Sequence, residues 1–231
     1  MSTDAPRSDS SWKNTPRHGS DSEFAGIPIS KPGDPVWELA SLYPHQGEWT
    51  EEAYLDLQCK RGIEFVDGVL EFLPMPTEFH QILAAFFFDL LRSTVGDRGL
   101  VLFSGLRVRI RPEKVREPDV VLMLHENRSR RSERAWQGAD LAVEIVSEDD
   151  PKRDYETKRE DYAEAGIREY WIVDPRDESV TLLVLEQGQE KYTLVGRFEK
   201  NQICESRLLV NLRLTPAEIF NRPERLRDKC Q

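Results

Sequence analysis

A carboxylate in the middle of an otherwise aliphatic strand constrains this chain more than any other feature. It lies in the stretch LAVEIVSEDDPKRDYETKREDYAEAGIREYWIVD, Leu141 to Asp174. Leu141 to Val146 is apolar except for Glu144 and reads as a buried strand. Pro151 to Ala165 reads as a helix: Asp150 suits its N-cap, Pro151 its first turn and Gly166 its C-terminal cap. Glu169 to Asp174 is a second buried strand. Short loops around one helix predict a βαβ unit whose strands run parallel. Burying a lone charge is costly, so Glu144 requires a partner: a basic side chain or a metal ion.

The rest of the chain can supply the remainder of one medium domain. It has 231 residues, 39% of them hydrophobic. This predicts one α/β domain, a mixed α+β sheet flanked by helices, over residues 36–222. Residues 1–35 are rich in Ser, Asp, Pro, Lys and Arg with only Trp12 and Phe24 as aromatics, a composition that predicts a disordered leader. Residues 223–231 form a polar tail. No apolar run approaches the roughly 18 residues of a membrane span, and no basic-then-apolar secretory pattern opens the chain. Cys59, Cys204 and Cys230 are odd in number and far apart, which predicts free thiols in a reducing cytoplasm. The net charge of −10 argues against indiscriminate nucleic-acid binding, which usually rests on a basic field, but leaves room for a local basic groove.

Along the chain, Thr50 opens a helix, TEEAYLDLQ, with acids in its first turn. GIEFVDGVLEFLP is a hairpin around Asp67-Gly68. Thr77 starts a helix whose Ile82, Leu83, Phe86, Phe87, Leu90 and Leu91 mark one buried face. In LVLFSGLRVRIRP, Leu106, Val108 and Ile110 alternate with Arg107, Arg109 and Arg111, as in a strand with one polar face. REPDVVLML predicts a buried strand with Asp119 near its start. After the βαβ unit come a hairpin around Gly188, a strand near Leu208 and a short helix capped by Thr215.

Two neighbouring strands therefore each carry one carboxylate, Asp119 and Glu144. On the following helix Asp154, Lys158 and Tyr162 are four residues apart and share a face. Converging carboxylates repel when both are ionised, and a hard divalent cation such as Mg²⁺ or Mn²⁺ removes that cost. A lysine beside it could orient a water for attack on a phosphodiester. The same residues also suit a structural Glu144–Lys158 ion pair with Asp119 capping a turn, and their spacing does not decide between the two.

EFVDG, EPDVV, VEIVS, the Asp, Lys and Tyr of the helix, and AGIREYWIVDP resemble the Uma-type restriction endonuclease family of the PD-(D/E)XK nuclease superfamily, over roughly Gly47 to Phe220. The resemblance implies a restriction-endonuclease-like core, and a metal-dependent DNA endonuclease acting through Asp119 and Glu144 as metal ligands, with a backbone carbonyl near Ile145. The superfamily's lysine normally stands two residues after the glutamate, where this chain has Val146, so the resemblance assigns that role to Lys158. It implies that Tyr162 and Asp154 orient Lys158, that Glu64 is a further catalytic acid adding to the metal shell, and that His80 occupies a family position of no assigned role. By the same analogy the expected partners are DNA and a second copy of the chain, as a homodimer.

Phosphate contact requires cations, and the candidates are Arg128, Arg130, Arg131 and Arg134 in one loop and Arg107, Arg109 and Arg111 on one strand. A solvated surface explains such runs equally well. Two further functions remain open: a non-catalytic binding module on a nuclease-like scaffold, favoured by the acidic net charge, and a phosphohydrolase acting on a small nucleotide, which would need a closed pocket.

Overall fold

The computed structural model describes residues 43–59 and 61–221. The chain divides into the units Met1–Pro44 and His45–Gln231. The first lies almost wholly outside the described residues, as do the leader, the onset of order near Val36, the polar tail and Cys230. In chain order the second unit contains α1 (Glu51–Asp56), β1 (Ile63–Val66), β2 (Val69–Phe72), α2 (Glu78–Val95), β3 (Gly99–Phe103), β4 (Val108–Arg111), β5 (Lys114–Arg116), β6 (Val120–Leu124), β7 (Trp136–Gln137) and β8 (Leu141–Ile145). Helix α3 follows, a π-helical turn at Arg153–Thr157 running into the α-helix Lys158–Glu164. Then come β9 (Glu169–Asp174), β10 (Ser179–Val184), β11 (Thr193–Glu199), β12 (Cys204–Glu205), β13 (Arg213–Leu214) and α4 (Pro216–Phe220).

The expected mixed sheet is present, but it is divided in two. A six-stranded sheet runs β11-β10-β9-β8-β6-β3 and a five-stranded one β2-β1-β5-β4-β7. The βαβ unit forms as expected, with β8 and β9 parallel. The stretch LVLFSGLRVRIRP is not one strand: Ser104 and Gly105 break it, so that β3 joins the large sheet and β4 the small one. Leu208 is not in a strand either; it lies in the connection between β12 and β13.

Period-2 alternation sorts the large sheet into two faces. Val120, Leu122, Val143, Ile145, Trp171 and Val173 pack on Leu83, Phe87, Leu91 and Val95, which recur every four residues along α2. Val121, Met123, Ala142, Tyr170 and Ile172 face the other way, toward Tyr162 and Ala163 of α3 and toward Val108 and Trp136 of the small sheet. Glu144 shares the parity of Ala142 and so points into this second layer. The small sheet buries Ile63, Phe65, Leu70 and Val115 against Tyr54 and Leu55 of α1. Its opposite face, by the same alternation, presents Glu64, Glu71, Lys114 and Arg116.

The β1–β2 turn shows how closely the segments seat. Asp67 and Gly68 both have positive φ, 47° and 85°, as a two-residue hairpin of the right twist demands. The Gly68 carbonyl accepts the amides of Gly47 and Trp49 at 2.8 and 3.2 Å. A Cβ on Gly68 would stand 2.6 Å from the Gly47 carbonyl oxygen, whereas one on Gly188, also at positive φ, would meet nothing within 4 Å. Gly188→Ala should therefore cost only the conformational penalty of about 1–2 kcal/mol. Gly68→Ala should cost measurably more, because the docked segment must also shift; equal urea midpoints for the two variants would contradict this packing.

Candidate active site

Strand pairing brings the two predicted carboxylates together. β6 and β8 are antiparallel neighbours with Val120 opposite Val143, so Asp119, one residue before β6, reaches the end of β8. Its Oδ2 accepts the Ile145 amide at 2.8 Å and lies 3.1 Å from Nε2 of His80, in the first turn of α2. Among the described residues no donor is seen on Oδ1. Glu144 is almost fully buried; Lys158 Nζ lies 2.9 Å from its Oε2, and the Tyr162 hydroxyl donates to its Oε1. Lys158 Nζ is also 3.1 Å from Asp154 Oδ1. Asp154 thus pairs with Lys158, whereas Tyr162 bonds Glu144 and not Lys158.

Helix α3 makes this convergence possible through an irregularity that the sequence pattern did not reveal. The Lys158 amide bonds the Arg153 carbonyl, five residues back, and Arg153–Thr157 is a π-helical turn. In a regular α-helix, residues five apart diverge by about 140° around the axis. The wider turn narrows that angle, and Arg153, Asp154 and Lys158 all reach the polar layer. Gly166 ends the helix at φ 69°, in the expected capping role.

The charges here are strongly coupled. Burial pushes the Glu144 carboxyl well above its usual range; Lys158 opposes this, and the charges of Asp119 and Asp154 reinforce it. Asp154 is raised mainly by burial. Burial would also raise Asp119, but the His80 hydrogen bond and charge, with Lys158, outweigh it and bring Asp119 below its ordinary value. His80 is raised, its desolvation outweighed by Asp119. Burial pushes the Lys158 ammonium down, and the surrounding carboxylates, Glu144 foremost, more than reverse this. Three carboxylates therefore share one ammonium and one imidazole.

Repulsion among these buried carboxylates, part of what raises Glu144, is what a divalent cation would relieve. Among the described residues no group of three or more His, Cys, Asp or Glu forms a ready cage. Two carboxylates with water completing the shell is the usual manner in which proteins hold Mg²⁺. Asp119 and Glu144 are hard oxygen donors of the class such an ion takes, and both oxygens of Glu144 are engaged by Lys158 and Tyr162.

Glu64, the third expected acid, has its oxygens taken by other groups. Oε1 accepts the Glu117 amide at 3.0 Å; Oε2 is 2.7 Å from Arg116 Nη1 and also bonds Arg153 Nη2. Burial would raise its carboxyl, but Lys158, Arg116 and Arg153 together hold it at about 2. The sequence pattern alone does not reveal this arginine cluster, whose members come from separate segments. Glu64 alternates with the buried Ile63 and Phe65 in the sequence, and its charge needs a partner as much as that of Glu144 does.

The basic runs are largely neutralised within the chain. Arg109 pairs with Glu51, Arg111 with Asp67 and Glu164, Arg130 with Asp140, and Arg134 with Glu52 and Asp56. Arg107 donates to the carbonyls of Leu55 and Leu57 at the end of α1 and stacks on Tyr54. In the loop, Arg128 bonds the His125 carbonyl and Arg131 lies over Trp136.

Residues 51–217 match the Uma2 family, described as "Putative restriction endonuclease". The chain belongs to this family. A crystal structure of a putative nuclease belonging to DUF820, from Anabaena variabilis ATCC 29413, shares the fold, with a TM-score of 0.62 and 18% identity. The likeness covers 75% of this chain and 98% of that one. No curated protein matches. The Uma2 match spans every site residue described above, from Glu64 through Tyr162. No described helix is long and apolar enough to cross a membrane.

The charge distribution dictates how stability varies with pH in the metal-free protein. Glu144, Asp154 and Glu117, the last raised to about 7 chiefly by burial, bind more protons folded than unfolded above their ordinary values near about 4. Stability therefore falls as pH rises through that window. The stabilisation from raised His80 is complete below about 6.5 and is lost above it. Asp119 and Glu64 act oppositely, and their contribution disappears only as pH falls below about 4. The melting temperature without metal should peak near about pH 5 and decline toward about pH 8. Glu144→Gln should flatten the decline; parallel profiles for the two proteins would contradict the assignment.

Proposed function

We propose that this Uma2-family chain is a metal-dependent endonuclease that hydrolyses DNA phosphodiester bonds at the Asp119–Glu144–Lys158 site. The observation that carries the reading is the junction of β6 and β8, where two mutually repelling carboxylates and a lysine meet. Asp119 and Glu144 would hold the ion, together with the backbone carbonyl of Ile145. A bound Mg²⁺ or Mn²⁺ would relieve that repulsion and polarise the phosphate. Lys158 Nζ would orient the attacking water and stabilise charge developing on the phosphate oxygens. Asp154 keeps that ammonium in place; Tyr162 and His80 keep the two metal-facing carboxylates from rotating. Glu64 acts at a distance, anchoring the arginines beside Lys158. A homodimer would let two such sites cut two strands, an expectation from analogy with other nucleases.

One observation favours a non-catalytic scaffold instead: Lys158 is held by Glu144 and Asp154, as in a structural ion pair. Calorimetric titration with Mg²⁺ and Mn²⁺, alongside cleavage of plasmid DNA, separates the two readings. The wild type should bind metal and cleave. Asp119→Ala should lose both properties, and Lys158→Ala should bind metal while cleaving about 100-fold more slowly or worse. A wild type that binds no metal even with DNA present would establish the scaffold reading.

A further inference from the structure

Glu64 and Glu71 stand directly opposite each other on β1 and β2. Like charges in that position destabilise a sheet, so the pair requires cations. Two are present. Arg116 is buried and uses its whole fork: Nε and Nη2 go to Asp161 Oδ2 at 2.8 and 2.7 Å, and Nη1 bridges Glu64 and Glu71, each at 2.7 Å. Arg153 duplicates that bridge with Nη2 alone, bonding Glu64 and lying 2.6 Å from Glu71. Its Nε is buried with no hydrogen-bond partner. Arg116 spends the Nε–Nη2 side of its guanidinium on one carboxylate, whereas the Nε of Arg153 is unused, as is that of Arg109, Arg130 and Arg168 elsewhere among the described residues.

Exposure follows the same division. Arg116 and Glu64 are sealed in, at 2% and 0% side-chain exposure, while Arg153 and Glu71 reach solvent at 23% and 35%. The π-helical turn sets Arg153 on the layer that holds Lys158, whose charge reaches Glu64. An exposed carboxylate returns to water at little cost, so Glu71 is the partner that an incoming anion can displace. A guanidinium fork matches two oxygens of a phosphate.

We infer that Arg153 is a phosphate-contacting residue of this site, with Glu71 holding its guanidinium until a phosphodiester of the nucleic-acid substrate replaces it. The inference rests on the nuclease reading and adds to it the cation that takes up the substrate's own charge. Arg116 stays on Glu64 and Asp161 throughout, keeping the cluster intact when Glu71 leaves.

The test is binding of a short fluorescein-labelled DNA duplex, read by anisotropy in Ca²⁺ over a range of salt, with melting temperatures as controls. Arg153→Met should weaken binding by about tenfold and lower the slope of log affinity against log salt by about 1. Glu71→Gln should tighten binding by about two- to fivefold. In the double variant that gain should vanish, since it acts through Arg153. A gain of full size in the double variant would reduce Glu71 to a general repulsive charge and overturn the inference. So would wild-type affinity and slope in Arg153→Met. If Arg153→Met does not fold, Arg153→Lys replaces it: it keeps the charge without the fork, so weaker binding and a smaller Glu71→Gln gain are still required. A wild type that binds DNA through Arg153 but cleaves none in Mg²⁺ or Mn²⁺ overturns the nuclease reading alone. A wild type that cleaves, with Arg153→Met binding as well as it does, overturns the role of Arg153 alone. No binding by the wild type overturns both.

Discussion

The contact between Glu144 and Lys158 is the interaction on which the polar layer of this molecule depends. A carboxylate on β8, flanked on its face by Ala142 and Val146 and almost fully buried, needs a charged or hydrogen-bonding partner. Removing either partner would leave a buried charge uncompensated, at a cost of several kcal/mol, roughly 3–5. The helix that carries Lys158 must therefore lie across the strand ends in one register, and the Tyr162 hydroxyl on Glu144 reinforces that register from the next turn. The π-helical turn is the backbone's accommodation: it allows Arg153 and Lys158, which a regular helix would separate, to serve two neighbouring clusters.

From that contact outward the polar residues form a continuous charged layer between the two sheets. Lys158 bridges Glu144 and Asp154; Glu64, under its field, gathers Arg116 and Arg153; and Arg116 with Lys114 anchors Asp161 on α3. Such a layer is costly compared with an apolar one. It is retained here at the mouth of two strands that deliver Asp119 and Glu144 to one point. Perturbed carboxyl groups that cluster in this way are characteristic of functional sites. Membership of the Uma2 family points in the same direction.

The arginines show how net charge and local charge differ. A chain with ten negative charges in excess still assembled a strand and a loop rich in arginine, and most of these side chains bind carboxylates or carbonyls of their own fold. Arg109 and Arg111 tie α1, the hairpin turn and α3 to the small sheet, and Arg134 ties the loop before β7 to α1, so their loss would be felt in stability more than in ligand affinity. The arginines that bind the buried Glu64 are instead Arg116 and Arg153, which lie far apart in sequence and look unremarkable there.

By itself the sequence determined the βαβ unit, the Asp-Gly hairpin, the capped helices and the strands that carry Asp119 and Glu144. Each of these follows from local rules: side-chain period, cap chemistry, and backbone conformations open to few residues. The requirement that Glu144 have a partner was also legible, because burial of a charge is costly whatever the fold. Only the tertiary structure decided which side chains meet. The division into two sheets at Ser104-Gly105, the π-helical turn, the transfer of Tyr162 from Lys158 to Glu144, and the capture of Glu64 by Arg116 and Arg153 all arise from contacts between segments distant in the chain. Spacing along a strand or helix carries no information about such contacts, since they are selected by the energy of pairing buried charges in three dimensions.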